Sequence, residues 1–215
     1  MKKNKRLLIF DFDGTIADTF QQIVKISNEL AQEFDFRTIH PDEIEALKDK
    51  TSQEITRYLN VPLLKIPLIV AKAKQNLFQD MNLVQPREGL KDVLHKLKNH
   101  GLRIGILTSN SGENVSKFLQ THELDIFDFI TSTSRIWGKS KRLNELICQE
   151  GFDTHETLYI GDETRDIEAA RKAGISVAAV SWGYNSSKAL SSHRPDYLIH
   201  TPHELFEICA NHPVG

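Results

Sequence analysis

The sequence is short of several things, and each shortage excludes a class of protein. There are only two cysteines in 215 residues, Cys148 and Cys209. They lie far apart in helix-like surroundings, so free, buried thiols are expected, in keeping with a reducing cytoplasm. There is no charge excess of either sign: 27 basic and 29 acidic residues leave a net charge of -2. No global field then points to nucleic acid or to an anionic membrane as a partner. Long apolar runs are also missing. The basic start MKKNKR is followed by only four apolar residues, Leu7 to Phe10, before Asp11 intervenes. A signal peptide needs an apolar stretch of roughly 7–15 residues, and a membrane helix needs about 20. The longest apolar-rich segment, VPLLKIPLIVAKA (61–73), is interrupted by two prolines and two lysines. Repeats and low-complexity segments are absent. The nine histidines suggest no site: His200 and His203 flank Pro202 and read as surface residues. A soluble, cytoplasmic chain results, with room for one domain carrying an insertion or for two small ones.

What is present is a change of pattern along the chain. Residues 6–12 form an apolar run that reads as a buried strand. From about 17 to 35, Phe20, Ile23, Val24, Leu30, Ala31 and Phe34 recur at helical spacing. Pro41 can open a second helix. Thr51 followed by Glu54 fits a capping box, with a helix starting near Ser52. Residues 17–85 therefore read as helical throughout. After Pro86, apolar strands alternate with helices: a helix stopped by Gly101, LRIGILTSN, a helix from Gly112, FDFITST, a helix closed by Gly151, TLYIGDE, a helix closed by Gly174, ISVAAVSWG and DYLIH. Near-continuously apolar strands alternating with helices predict a parallel sheet covered on both faces. The expected fold class is α/β, a parallel-sheet Rossmann-like core with helices on both faces, plus an inserted all-helical cap. The core comprises 1–16 and 86–215, and the cap 17–85.

In open parallel sheets, sites form beyond the carboxyl ends of the strands. Polar residues stand at those ends here: Asp11 and Asp13, Thr108 to Asn110, and Asp162. Two carboxylates one residue apart at the edge of a core repel each other and are costly to bury unless something compensates them. Asp162 and Asp166, four apart at a predicted helix start, would share one helical face near its positive end. Four carboxylates converging on one point call for a hard divalent cation with oxygen ligands.

DFDGTIADT resembles the first motif, DxDGTxxD, of the haloacid dehalogenase-like (HAD) hydrolase superfamily. GILTSN resembles its second motif, GKSKRLNELI its third and YIGDETRDIEAARKAGI its fourth, GDxxxD. All four stand in family order. PREGLKDVLHKLKNHGLRIGILTSN further resembles the phosphoglycolate phosphatase-like branch, whose helical cap lies between motifs one and two. The resemblance implies a Mg2+-dependent phosphatase that hydrolyses phosphate monoesters of small metabolites through an aspartyl-phosphate.

That resemblance implies a role for each matching residue. Asp11 is the nucleophile, splitting one hard step into two easier ones, and Asp13 the general acid and then base. Gly14 permits the turn and a close backbone approach, and Thr15 supports the loop. Asp11 through its side chain, Asp13 through its main-chain carbonyl, and Asp162 ligate Mg2+, with Asp166 direct or through water. Thr108, with backbone N–H groups of Ser109 and Asn110, binds the phosphoryl oxygens. A lysine offsets the charge there. Lys139 and Lys141 compete, and the helical pattern that opens at Leu143 favours Lys139. Many relatives carry Lys-Pro where this chain has Lys139-Ser140. In the cap, Lys48, Lys50, Thr51 and Arg57 either hold an anionic substrate group or form a solvated helix face. Trp182 and Tyr184 either line the site's rim or pack. The expected partner is a small phosphorylated metabolite, with no nucleic acid and no membrane, and nothing in the sequence sets an oligomeric state. A phosphomutase would use the same core with a second hydroxyl in place of water. A noncatalytic phosphate-binding module would lack the nucleophile or the acid, and both are present. Dehalogenation needs neither Asp13 nor the acidic fourth motif.

Overall fold

A computed structural model describes residues 5–133 and 138–210, the Ala210 side chain excepted. Its centre is a six-stranded sheet in the order β3-β2-β1-β4-β5-β6. The strands are β1 (Leu7–Phe10), β2 (Arg103–Thr108), β3 (Phe129–Ser132), β4 (Thr157–Gly161), β5 (Ser176–Val180) and β6 (Tyr197–Ile199), and every pairing is parallel. β1 and β4 are buried along their whole length, as the unbroken apolar runs require when both faces are covered. The sheet separates two apolar clusters. One holds Leu8, Phe10, Phe12, Ile104, Ile106 and Phe118; the other holds Leu7, Ile9, Leu107, Leu143, Tyr159 and Ile167. Successive residues of β1 thus alternate between the faces, as strand geometry dictates.

Helices α1 (Phe20–Phe34), α2 (Ile44–Lys48), α3 (Ser52–Tyr58) and α4 (Ile66–Asp80) precede α5 (Leu90–Asn99). They are followed by α6 (Gly112–Thr121), α7 (Lys139–Gln149), α8 (Thr164–Ala173), α9 (Ser187–Ser192) and α10 (Pro202–Ala210). Residues 20–83 contain only helical elements among those described. Pro41 opens a 3-10 turn, Pro41–Glu43, ahead of the short α2. Thr51 caps α3 with the predicted box: its hydroxyl accepts from the Glu54 N–H, and the Glu54 carboxylate accepts from the Thr51 N–H. The chain leaves and rejoins the sheet at one place. Asp18 N–H donates to the Gln85 carbonyl and Arg87 N–H to the Ile16 carbonyl, both at 2.9 Å. Gly101, Gly151 and Gly174 adopt the positive φ expected after helix ends.

Two expectations need correction. Cys209 is buried but Cys148 is exposed; both thiols are free. And Asp162 is not on a helix: α8 begins at Thr164, so Asp162 lies in the connection from β4. The two acids do converge, by a different route described next.

Candidate active site

Asp11 continues β1. Its N–H donates to the Ile160 carbonyl (2.8 Å), one step past the Phe10–Ile160 pair. Asp162 follows Gly161, the last residue of β4. β1 lies between β2 and β4, so the sheet order changes direction beside it and opens the crevice where parallel sheets take ligands. That topology makes Asp11 and Asp162 neighbours. Asp166 comes from the third residue of α8, where its carboxylate accepts from the Glu163 N–H (3.1 Å) and closes a capping box. Gly161 makes room for it: a Cβ there would lie 2.4 Å from Asp166 Oδ2. Asp11, Asp162 and Asp166 are all buried, and each offers an oxygen within 4.8 Å of the others.

Lys139 stands among them. Its Nζ donates to Asp11 Oδ2 (3.0 Å) and to Asp166 Oδ1 (2.6 Å). The helical phase of α7 puts Lys139 on the same buried face as Leu143, Leu146 and Ile147. Lys141 lies on the other side, 85% exposed, and among the described residues makes one long contact, to Glu145. Burial works against the Lys139 ammonium, yet Asp11 and Asp166 outweigh it and raise its pKa. Burial pushes Asp11 up to about 7 against the pull of Lys139. Asp162 is also held well above the ordinary carboxylate range, by burial first and then by Glu163, Asp166 and Asp11.

Asp162 has its own scaffold. Thr15 Oγ1 donates to Oδ1 (2.6 Å) and the Tyr184 N–H to Oδ2 (2.7 Å). Gly14 makes this possible. Its φ of +73° suits glycine, and a Cβ would meet Asp162 Oδ2 at 2.3 Å and the Tyr184 ring at 2.4 Å. Asp13 points elsewhere, accepting from the Asn110 amide (3.0 Å). Burial raises it to about 6, while the Asn110 hydrogen bond pulls it down. Thr108 is fully buried, and its hydroxyl accepts from the Asn110 N–H (2.9 Å). Ser109, beside it, is half-buried.

Three carboxylates and one ammonium leave the cluster two charges short of neutrality when all are ionised. Such a deficit disappears by protonation or with a divalent cation. An all-oxygen donor set suits a hard cation such as Mg2+, so the residues present fit that ion.

A cavity of about 340 Å³ opens beside Asp13, between the sheet and α1–α3. Apolar side chains dominate its wall, including Phe20, Val24, Ile44, Ile55, Leu59 and Tyr184. Lys48, Lys50, Ser52, Glu163, Arg165 and Asn185 also reach it. Of the four polar candidates in the helical segment, Lys48 and Lys50 line the cavity, Thr51 caps α3, and Arg57 is exposed elsewhere. Tyr184 sits in the rim, its hydroxyl 2.9 Å from Thr19 Oγ1. Trp182 donates from its indole to the Thr15 carbonyl (3.1 Å) and packs against the core.

Several contributors carry no sequence signal of their own. The Asn185 amide donates to the carbonyls of Lys48 (2.9 Å) and Lys50 (3.0 Å), while its oxygen accepts from the Thr164 N–H (2.9 Å). It therefore ties the start of α8 to the end of α2. Glu163 holds Arg165 through Oε1 and accepts from Ser52 in α3 through Oε2 (3.0 Å). A polar run such as GYNSSK reads as a turn, and only the tertiary structure shows what it fastens.

Known proteins share this architecture. Residues 8–180 match the family model described as haloacid dehalogenase-like hydrolase, and the chain belongs to that family of enzymes. It is 33% identical over 201 residues to a phosphoglycolate phosphatase of Synechococcus elongatus, covering 93% of this chain and 95% of that one, which fits the phosphoglycolate phosphatase-like branch. It is 26% identical over 211 residues to the pyrophosphatase PpaX of Halalkalibacterium halodurans, covering 94% and 95%. The fold matches a haloacid dehalogenase-like hydrolase from Streptococcus pneumoniae with a TM-score of 0.81 at 20% identity, over 95% of this chain and 98% of that one.

Proposed function

We propose that this enzyme is a Mg2+-dependent phosphatase of phosphate monoesters of small metabolites, working through an aspartyl-phosphate on Asp11. The observation that carries the reading is the meeting of Asp11, Asp162, Asp166 and Lys139 at the carboxyl ends of β1 and β4, with Asp13 facing the cavity beside them. Phosphatase and pyrophosphatase relatives matched over nearly their full length support it.

Asp11 attacks the phosphoryl group, and the leaving oxygen departs toward Asp13. Burial lifts Asp13 to about 6, so about a tenth of it carries a proton for that oxygen at pH 7, far more than at its ordinary value. Once ionised, Asp13 takes a proton from the water that hydrolyses the acyl phosphate. Asn110 fixes its carboxylate throughout. Lys139 balances charge on Asp11 and the transferring group, and Thr108 with the N–H groups of Ser109 and Asn110 receives phosphoryl oxygens. Asp11, the Asp13 carbonyl, Asp162 and Asp166 would hold Mg2+, which neutralises phosphoryl charge. Residues 17–85 act as a cap domain over the core formed by 1–16 and 86–215.

The test is phosphate release from p-nitrophenyl phosphate by purified protein. Turnover with Mg2+ is expected, and EDTA should remove it. Asp11→Asn should lower kcat at least about 10⁴-fold with the circular-dichroism spectrum unchanged. Near wild-type turnover by Asp11→Asn overturns the mechanism.

A further inference from the structure

The cavity between the sheet and helices α1–α3 lies on the leaving-group side, because Asp13 lines it while Asp11, Thr108 and Lys139 do not. Its size and wall therefore describe the alcohol rather than the phosphoryl group. At the roughly 30 Å³ that a water molecule occupies, 340 Å³ has room for about ten non-hydrogen atoms. The wall is chiefly apolar: Phe20 and Val24 of α1, Ile44 of α2, Ile55 of α3, Leu59 and Tyr184. Phe20 and Tyr184 meet edge to face, with ring centroids 5.5 Å apart, and give the wall an aromatic corner.

The cations on this wall are already engaged. Arg165 is held by the Glu163 carboxylate. Lys48 lies 4.9 Å from the Phe20 centroid and pairs with Glu45 (3.0 Å). Lys50 places its ammonium 5.9 Å from the ring of Tyr58, a residue outside the lining. A carboxylate or second phosphate on the alcohol would be desolvated against apolar side chains, with Glu45 and Glu163 competing for Lys48 and Arg165.

We infer that the enzyme selects phosphate monoesters whose alcohol has a compact apolar body of about six to ten non-hydrogen atoms, in preference to small substrates with a second anionic group, such as phosphoglycolate or pyrophosphate. This rests on the phosphatase reading above and adds the substrate class. Apolar area removed from water is worth about fourfold in binding per buried methylene. Where that area is buried in the transition state, it appears in kcat/KM.

The experiment compares kcat/KM for ethyl, isopentyl and cyclohexylmethyl phosphate with the values for phosphoglycolate and pyrophosphate, all with Mg2+. The three alkyl esters share one leaving-group chemistry, so differences among them report the cavity. Isopentyl over ethyl phosphate should give a ratio of roughly 10 to 60, with cyclohexylmethyl phosphate at least as good and phosphoglycolate and pyrophosphate both below isopentyl phosphate. Val24→Trp, which fills the cavity, should bring the isopentyl-to-ethyl ratio toward one, and Ile44→Ala, a gentler change from a different helix, should lower it several-fold. Equal values across the alkyl series, or a higher value for phosphoglycolate or pyrophosphate, overturn this inference and leave the phosphatase reading standing. Phosphate release from none of the five compounds overturns the phosphatase reading and this inference with it.

Discussion

Two regions of the molecule lie side by side and are built on opposite terms. The cluster at the ends of β1 and β4 is dense in charge, buried and held by hydrogen bonds to every carboxylate oxygen of Asp11, Asp162 and Asp166. The cavity next to it is chiefly apolar, and two of its cations, Lys48 and Arg165, are paired with Glu45 and Glu163. Asp13 belongs to both: it leaves the strand beside Asp11 but lines the cavity. The difference separates tasks, with the chemistry placed on rigid strand ends and the recognition surface on short helices tied down by Asn185 and Glu163.

The sharpest way to break this comparison is at Asp13. If it donates a proton to the leaving oxygen, Asp13→Asn should lower kcat about 10²–10⁴-fold for an alkyl phosphate. The loss should be much smaller for p-nitrophenyl phosphate, whose leaving group needs little help. A steady-state comparison of the two esters reads this directly. Equal losses would assign Asp13 to holding the cluster together rather than to serving the cavity side.

A smaller effect separates the two lysines. Lys139→Met should lower kcat about 10²–10³-fold, the range for losing one preorganised charge-stabilising group. Lys141→Met should stay within about twofold, because its side chain is 85% exposed and its pair with Glu145 lies at the surface. Lys139→Met also leaves buried carboxylates without their ammonium partner, a loss of about 3–5 kcal/mol in such settings. Thermal unfolding must therefore accompany the kinetics. A large activity loss in Lys141→Met would show that the helical phase of α7 misassigns the site.

The amino-acid sequence makes these two regions unequally legible. The strand-end cluster announces itself, since a buried apolar run ending in acids has few stable explanations and a parallel sheet gathers such ends at one crevice. The phase of α7 is readable because Leu143 repeats one turn after Lys139. Asp162 and Asp166 come together for a different reason from the one their spacing suggests. Four residues apart, they predict a shared helical face, whereas Asp162 sits on the strand end and only Asp166 on the helix. Cys148 misleads in another way: its helical context is real, but it lies on the outward face. The cavity wall is the least legible. Its residues come from α1, α2, α3, the start of α8 and the loops after β1, β4 and β5, among others, and which helical faces turn inward depends on contacts such as Asn185 to Lys48 that no local pattern encodes.

The smallest expected effect concerns stability against pH, and it contrasts carboxylates of the two regions. Glu43, Asp49 and Glu54 in the helical segment are held below their ordinary values, chiefly by the His40 N–H, the Lys188 ammonium and the Thr51 N–H respectively. Their contribution is present above the unfolded carboxylate range and fades as pH falls through it. Asp11 and Asp13 run the other way. Burial lifts them from 3.8 to about 7 and about 6, so folding is favoured while they are protonated. That contribution is complete below pH 4 and is lost as pH rises through 6 and 7. The metal-free protein should therefore lose stability between pH 4 and 7. Asp11→Asn, which cannot ionise, should lose less, with the difference reaching about 1–3 kcal/mol at pH 7 after allowance for Lys139. Mg2+ should raise Tm of the wild type at pH 7 and have little effect at pH 4.5, where protons already occupy the oxygens. Urea unfolding of both proteins across this range, with and without Mg2+, reads all of these. If wild type and Asp11→Asn gave parallel curves, the acidic cluster would not be under the electrostatic load that sets it apart from the cavity.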